Sequence, residues 1–188
     1  MFSPELPLNH TSGLSGSHVS LPNHKHEKPG SIRLYRMTDR VAVEKIIREA
    51  EDELPIQHAS KLNIGRTVRY WLEDGYARAG FYLFDLCNEV VGLVGFTPLE
   101  IGFGEVCQLQ PLFLRANLRG KGYGQQLLDH TINGARESGY RRCYLELSAH
   151  LEDAVRLVEN YGFYKMPASP RQGYPHDPSI RHYMKYIF

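Results

Sequence analysis

Along the chain the apolar and polar positions change period several times, and each change marks an element. Residues 32–36, Ile-Arg-Leu-Tyr-Arg, alternate as a strand does. Thr38 and Asp39 then offer helix caps, and Val43, Ile46, Ile47 and Ala50 lay an apolar stripe at helical spacing. After Pro55 the pattern is irregular to about Gly65, and a second helix is predicted over 66–72, with Gly75 and Gly80 bracketing the next loop. Strand-like runs 81–86 and 89–97 are joined by a short polar connection at Asn88, a hairpin signal. A third run, 105–114, is long enough for a central strand. A helix over 122–137 turns Leu127, Leu128, Ile132 and Ala135 to one face. Then come a buried strand over 142–147 and an amphipathic helix over 152–161. Strands 163–166 and 181–188, separated by the Pro/Gly-rich stretch 167–179, close the chain.

The predicted order is β-α-α-β-β-β-α-β-α-β-β. An antiparallel start followed by β-α-β-α-β gives an α/β (α+β) fold, with a mixed, mostly antiparallel central sheet flanked by helices. Residues 1–30 carry no apolar periodicity and are rich in Ser, His, Pro, Gly and Asn, so a flexible tail is expected before a folded domain at 31–188. Four histidines of that tail, His10, His18, His24 and His26, match no common ligand spacing, and no metal is expected.

Composition sets outer bounds. A length of 188 residues suits one domain plus a tail, and 42% apolar with 23% charged residues is ordinary for a soluble protein. A net charge of +1 lacks the basic bias of nucleic-acid binders but leaves room for local positive potential around an anionic cofactor. The longest apolar run, around 90–96, is strand-sized, well short of the roughly 20 residues that cross a bilayer. The N-terminus lacks a basic start and apolar stretch of the secretory kind. Cys87, Cys107 and Cys143 are odd in number and far apart, without Cys-x-x-Cys, so they read as small buried hydrophobes. A cytoplasmic protein with no nucleic-acid or membrane partner is expected.

The chemistry concentrates in one stretch, Leu112 to Gly124, where a strand runs into a loop holding Gly120, Gly122 and Gly124 and a helix begins at once. Helix starts leave N–H groups unpaired at the positive end of the dipole, and so bind phosphate. Glycines let backbone approach the anion without Cβ in the way, and Arg119 and Lys121 add charge. A pyrophosphate is the natural ligand. A Walker loop would need Ser or Thr after Gly120-Lys121, where Gly122 stands. A dinucleotide fingerprint counted from Gly120 would need a third glycine where Gln125 stands, although Glu146 does mimic a ribose-binding acid at a strand end. A nucleotide-binding α/β domain therefore stays as an alternative.

Arg119-x-x-Gly122-x-Gly124 resembles the coenzyme A loop of the GNAT superfamily of N-acetyltransferases. The resemblance runs from about Ile32 to Phe188 and includes the β-α-α start and the late helix ending in Glu159-Asn-Tyr-Gly162-Phe163. It implies the acyl-CoA N-acyltransferase fold, acetyl-CoA as co-substrate, and direct attack by a primary amine of a small molecule or a protein, in a monomer or homodimer. By position it implies that Leu112, Phe113 and Leu114 pair with the pantetheine arm, with the backbone N–H near Leu114 polarising the thioester carbonyl. It also implies that Arg119, Gly120, Lys121, Gly122, Tyr123, Gly124 and Gln125 hold the pyrophosphate.

The sequence departs from the family at the acid–base positions. Where many relatives carry glutamate in the central strand it has Gln108, which can hold a water but cannot take a proton. The late-helix tyrosine position is Val158, with Tyr161 about one turn later, and the asparagine often found at that helix's head is Leu151. Gln108 and Tyr161 are the catalytic candidates, and a coenzyme A-binding module without turnover is the second hypothesis. Glu105 would reach the cleft only through a bulge, and His150 follows a strand end nearby. Tyr174, His176 and Asp177 in the closing loop could meet an acceptor.

Overall fold

The computed structural model describes residues 30–53, 78–99, 101, 105–110, 112–171, 173 and 176–188. Its elements run β1 (Ser31–Leu34), α1 (Arg40–Glu53), β2 (Gly80–Leu86), β3 (Glu89–Pro98), β4 (Val106–Leu109), β5 (Phe113–Leu114), α2 (Tyr123–Glu137), β6 (Arg142–Ser148), α3 (Glu152–Asn160), β7 (Tyr164–Met166) and β8 (Ile180–Tyr186). The expected tail, save Gly30, and the helix predicted over 66–72 lie outside the described residues.

One sheet holds all the strands in the order β1-β2-β3-β4-β6-β8-β7, with β5 also on β3. Every pairing is antiparallel except β4 with β6. The β2–β3 hairpin turns through Cys87 and Asn88 at φ 53° and 65°, so both central residues are left-handed, the geometry of two-residue turns that match strand twist.

Both faces of the sheet are covered, which is why β3 is buried from Val90 to Thr97 rather than alternating. On one face α2 and α3 bring Leu127, Leu128, Ile132, Val155 and Val158 onto Phe84, Val94, Leu109, Leu145 and Tyr183. The approach of α2 is close: a Cβ on Gly134 would stand 2.0 Å from the Tyr82 hydroxyl oxygen. On the other face the stripe Val43, Ile46, Ile47 and Ala50 of α1 packs on Leu83, Leu93 and Phe113. Further along that second face, Val106, Tyr144 and Met184 form a smaller cluster with Leu99, Ile101 and Met166.

The single strand predicted over 105–114 is two strands. Phe96 faces Leu109 and Thr97 faces Gln108, but Leu93 faces Phe113 and Gly92 faces Leu114, a register one residue out of step. One extra residue is thus accommodated between Gln110, whose N–H donates to Gly95 O at 2.9 Å, and Phe113. The sequence places Pro111 in that interval, a residue with no N–H to give a ladder. The consequence is an opening. Pairing of β4 with β6 runs through Val106–Arg142, Cys107–Cys143 and Gln108–Tyr144, and β5 pairs with β3 rather than β6. Beyond Gln108 the sheet parts into a V with β5 as one arm and the end of β6 as the other.

Candidate functional site

The β5 arm is built from backbone. Arg115 N donates to Val91 O at 3.1 Å, so Arg115 faces β3. By antiparallel alternation the N–H and C=O of Leu114 turn away from β3 toward the opening. The Leu114 carbonyl accepts a hydrogen bond from Arg119 Nε at 2.8 Å. Phe113 is buried against α1, with the Arg119 guanidinium 5.6 Å from its ring centre, and half-buried Leu112 packs on the main core.

After a 3₁₀ turn at Ala116–Leu118, Gly120 and Gly122 take φ of 74° and 82°, a region open to glycine at little cost. Gly122 caps α2 through its backbone alone. The first helical bond is Gln126 N to Gly122 O at 3.2 Å, so the N–H groups of Tyr123, Gly124 and Gln125 have no helical partner. A Cβ added to Gly120 or Gly122 would meet nothing within 4 Å, so open space fronts these donors. No acidic residue sits in the first turn of α2, and Lys121 is exposed beside it. This concave, positively biased backbone fits a pyrophosphate. Gly124 differs, since its added Cβ would lie 3.1 Å from Leu157 Cδ2, and it lets α3 pack on the start of α2.

The loop is moored to α1. Arg115 bonds Glu49 at 2.8 and 3.2 Å and pairs with Glu89 at 2.6 Å, while Arg119 pairs with Glu53. Tyr123 rests against Phe84, ring centres 4.9 Å apart. Arg119 thus ties the loop to β5 and to α1 at once.

The β6 arm is built from side chains. Gln108 stands at the apex of the V, and its Oε1 accepts a hydrogen bond from Arg171 Nη2. Arg171 Nη1 lies 3.6 Å from Glu146 Oε1. The Tyr144 hydroxyl is 2.8 Å from the same Glu146 oxygen, 3.3 Å from Ser169 Oγ and 2.7 Å from His182 Nδ1. Its ring stacks on that of His182 at 6.1 Å. Burial, and then the neighbouring Glu146 carboxylate, raise the Tyr144 pKa above the usual phenol range, so the hydroxyl keeps its proton. Burial lowers the His182 pKa, with His176 and Arg171 acting the same way and Glu146 opposing them. The ring is therefore neutral near pH 7.

The remaining candidates are dispersed. The Tyr161 hydroxyl donates to Asp129 Oδ1 on α2 at 2.7 Å, and burial together with that carboxylate raises its pKa. Val158 is buried, and Leu151 occupies the N-cap of α3 without a side-chain bond. Glu105 is exposed just before β4, at the opposite end from the V. His150 and His176 are exposed, the Asp177 carboxylate accepts from Ser179, and Tyr174 lies outside the described residues. Sequence reasoning missed Tyr144, Ser169, Arg171 and His182, and considered Glu146 only as a ribose ligand. The signal was available in period two: Tyr144 and Glu146 share one face of β6, and β8 sets Met184 and His182 opposite them.

The acetyltransferase (GNAT) family model matches residues 43–163. The uncharacterized N-acetyltransferase YjgM of Escherichia coli (strain K12) is 29% identical over 137 residues, spanning 70% of this chain and 80% of that protein. N-alpha-acetyltransferase 40 of Saccharomyces cerevisiae is 33% identical over 122 residues, 61% of this chain but 41% of that longer protein. Among solved structures, an acetyltransferase of the GNAT family from Staphylococcus aureus Mu50 superposes with a TM-score of 0.66 at 19% identity, covering 85% of this chain and 100% of its own. YncA of Salmonella typhimurium, solved with its cofactor acetyl-CoA, gives 0.65 at 15% identity, covering 85% and 94%. At these identities the structural likeness is one of fold.

Proposed function

The chain belongs to the GNAT acetyltransferase family, and from that premise we propose that it moves an acetyl group from acetyl-CoA to a primary amine by direct attack, with both substrates bound. The observation that carries this reading is the V itself, which brings the outward-facing Leu114 N–H and the glycine cradle to one arm and the Gln108–Glu146 corner to the other. The structure of YncA with acetyl-CoA supports the choice of cofactor, and the likeness to N-alpha-acetyltransferase 40 supports a protein-derived amine among the acceptors.

In this reading the N–H groups of Gly122 to Gln125, with Gly120 and Lys121, hold the pyrophosphate, and Leu112 to Leu114 lie beside the pantetheine arm. Arg119 keeps the loop folded onto the Leu114 carbonyl and Glu53. Bound acetyl-CoA supplies an activated acetyl carbonyl, whose oxygen the Leu114 N–H is placed to polarise. An amine of lysine type is an ammonium near neutrality and must lose a proton before it attacks. Gln108, its carbonyl oxygen engaged by Arg171, offers its amide NH₂ to a water or an acceptor at the apex. The family's late-helix tyrosine position holds Val158, and Tyr161, about one turn later with its hydroxyl donating to Asp129, is the candidate left to protonate the departing thiolate.

The catalytic unit in this reading is residues 31–188. A cytoplasmic setting is supported by three free thiols, one of them exposed at Cys87. Among the described residues no helix is long and apolar enough to cross a membrane.

Calorimetric titration with acetyl-CoA, using NAD and ATP as controls, tests the cofactor. A panel of amines followed by thiol release then tests the transfer. Selective micromolar acetyl-CoA binding with product on at least one amine upholds the reading. Tight binding without turnover would favour a coenzyme A-binding module, a reading motivated by Gln108 and by buried Val158 at the family's acid–base positions.

A further inference from the structure

Attack by an amine needs a proton acceptor, and the residue at the family's usual position, Gln108, is not one. Among the described residues, Glu146 is a carboxylate of the same corner, linked to Gln108 through Arg171. Tyr144 is the last residue of β6 paired with β4, and Glu146 lies two residues further, on the same face and on the free arm of the V. Its side chain is 17% exposed, and Arg171 bridges it to Gln108 at the apex. Behind it the Tyr144 hydroxyl touches both Glu146 Oε1 and His182 Nδ1, at 2.8 and 2.7 Å, inside the core.

A phenol hydroxyl has one proton, and its two short contacts are to Glu146 Oε1 and His182 Nδ1, with Ser169 Oγ further off at 3.3 Å, so it gives to one of the close pair and receives from the other. The chain Glu146–Tyr144–His182 therefore has two proton arrangements. In one Glu146 is ionised, receives from Tyr144, and Tyr144 receives from His182 Nδ1. In the other Glu146 carries a proton and donates to Tyr144, which donates to Nδ1. A ladder pair fixes the two ends, because Glu146 and His182 are register partners on β6 and β8. The groups facing this chain are Arg171 and His176 from the β7–β8 connection, Gln108 from β4 and Met166 from β7.

We propose that Glu146 is the base that takes the proton of the acceptor ammonium, and that Tyr144 and His182 are positioning residues whose donated hydrogen bonds hold and orient its ionised carboxylate. This rests on the transferase reading above. The N–H bond of the ammonium breaks, its electron pair stays on nitrogen, and the proton forms an O–H bond on Glu146. Glu146 then releases that proton to water in the opening, its O–H bond breaking as a water O–H bond forms, and Tyr144 donates to the carboxylate again. A neutral imidazole suits this duty, since with its proton on Nδ1 it donates to Tyr144 while Tyr144 donates to Glu146.

The test combines kinetics with a readout independent of turnover, both on the full chain. Acetyl transfer to a peptide with a free N-terminus, to spermidine and to butylamine is followed by thiol release from pH 6 to 10. Glu146→Gln is expected to lower kcat/KM about 10²-fold at pH 7, the size typical of a lost acid–base group. The deficit should shrink toward a few-fold at pH 10, where solution supplies free amine, while acetyl-CoA affinity is retained. In the ¹⁵N-histidine-labelled protein, the ring nitrogens of His182 should respond to Glu146→Gln, and combining that change with Tyr144→Phe should abolish the response. A turned-over amine whose pH profile is the same in wild type and Glu146→Gln would overturn the base. His182 signals unchanged by either variant would overturn the positioning role of Tyr144 and His182. Acetyl-CoA binding with every amine inert would overturn the transferase reading, and the base with it.

Discussion

The two arms of the V do different work with different material. On the β5 arm the groups proposed to face a cofactor are main-chain N–H donors at Leu114 and from Gly122 to Gln125, and side chains serve mainly to hold that backbone in place. On the β6 arm the backbone is spent on the β8 ladder, and the polar work falls to Gln108, Tyr144, Glu146, Arg171 and His182. A backbone site reads the generic features of a ligand, its anionic pyrophosphate and its amide-like arm, and depends on local conformation. A side-chain site depends on which residue stands where. The first should break on changes of shape, and the second on changes of chemistry.

The sharpest way to break the contrast is Gly122→Val. At φ 82° a β-branched residue is strained and its side chain enters the open space before the cradle. Acetyl-CoA affinity should fall about 100-fold, or roughly 2.7 kcal/mol by calorimetry, with the fold retained by circular dichroism. An unchanged affinity in the folded variant would remove the cradle from the cofactor site.

Gly124→Val turns the same arm's third glycine into a control on packing. An added Cβ would lie 3.1 Å from Leu157 Cδ2, so the Leu157 side chain must give way at the α2–α3 contact, and about 1–3 kcal/mol of stability should be lost in urea titration. A loss of affinity as large as that of Gly122→Val without a loss of stability would mean the two glycines share one role.

Tyr161→Phe removes the hydroxyl bonded to Asp129 and should cost about 0.5–1.5 kcal/mol of stability. With that hydroxyl occupied between α3 and α2, kcat should fall less than tenfold. A hundredfold loss would return the acid to α3 and blur the contrast between the arms.

The smallest effect concerns acid stability. Burial holds the His182 pKa below its unfolded value of about 6.5, so as pH falls the unfolded chain binds a proton that the folded chain resists. This contribution is whole above that value and drains away below it. His182→Phe should therefore show a smaller drop in Tm between pH 7.5 and 5.5 than the wild type. An equal drop would place the acid sensitivity elsewhere.

The same asymmetry decided what could be read in the sequence. The β5 arm was legible because it is local: a strand, glycines and a helix start lie within a few consecutive residues, and helix ends bind anions for reasons independent of the rest of the fold. The α1 stripe and the hairpin at Asn88 were legible for the same reason. The division of the run 105–114 was not, because its cause is a one-residue change of register against β3, a relation between strands that no single strand displays. The polar corner was hidden more deeply. Gln108, Glu146, Arg171 and His182 come from β4, β6, a loop and β8, and only strand register brings them together.

The parallel seam of β4 and β6 has a consequence for how such a molecule changes over time. Among the described residues, three residue pairs, with buried Cys107 and Cys143 in the middle, form the ladder joining the half-sheet that carries the cradle to the half-sheet that carries the polar corner. Divergence in one half can therefore proceed with little penalty in the other. On the proposed reading, new acceptors could be explored on β6 and β8 while the glycine cradle across the seam kept its shape.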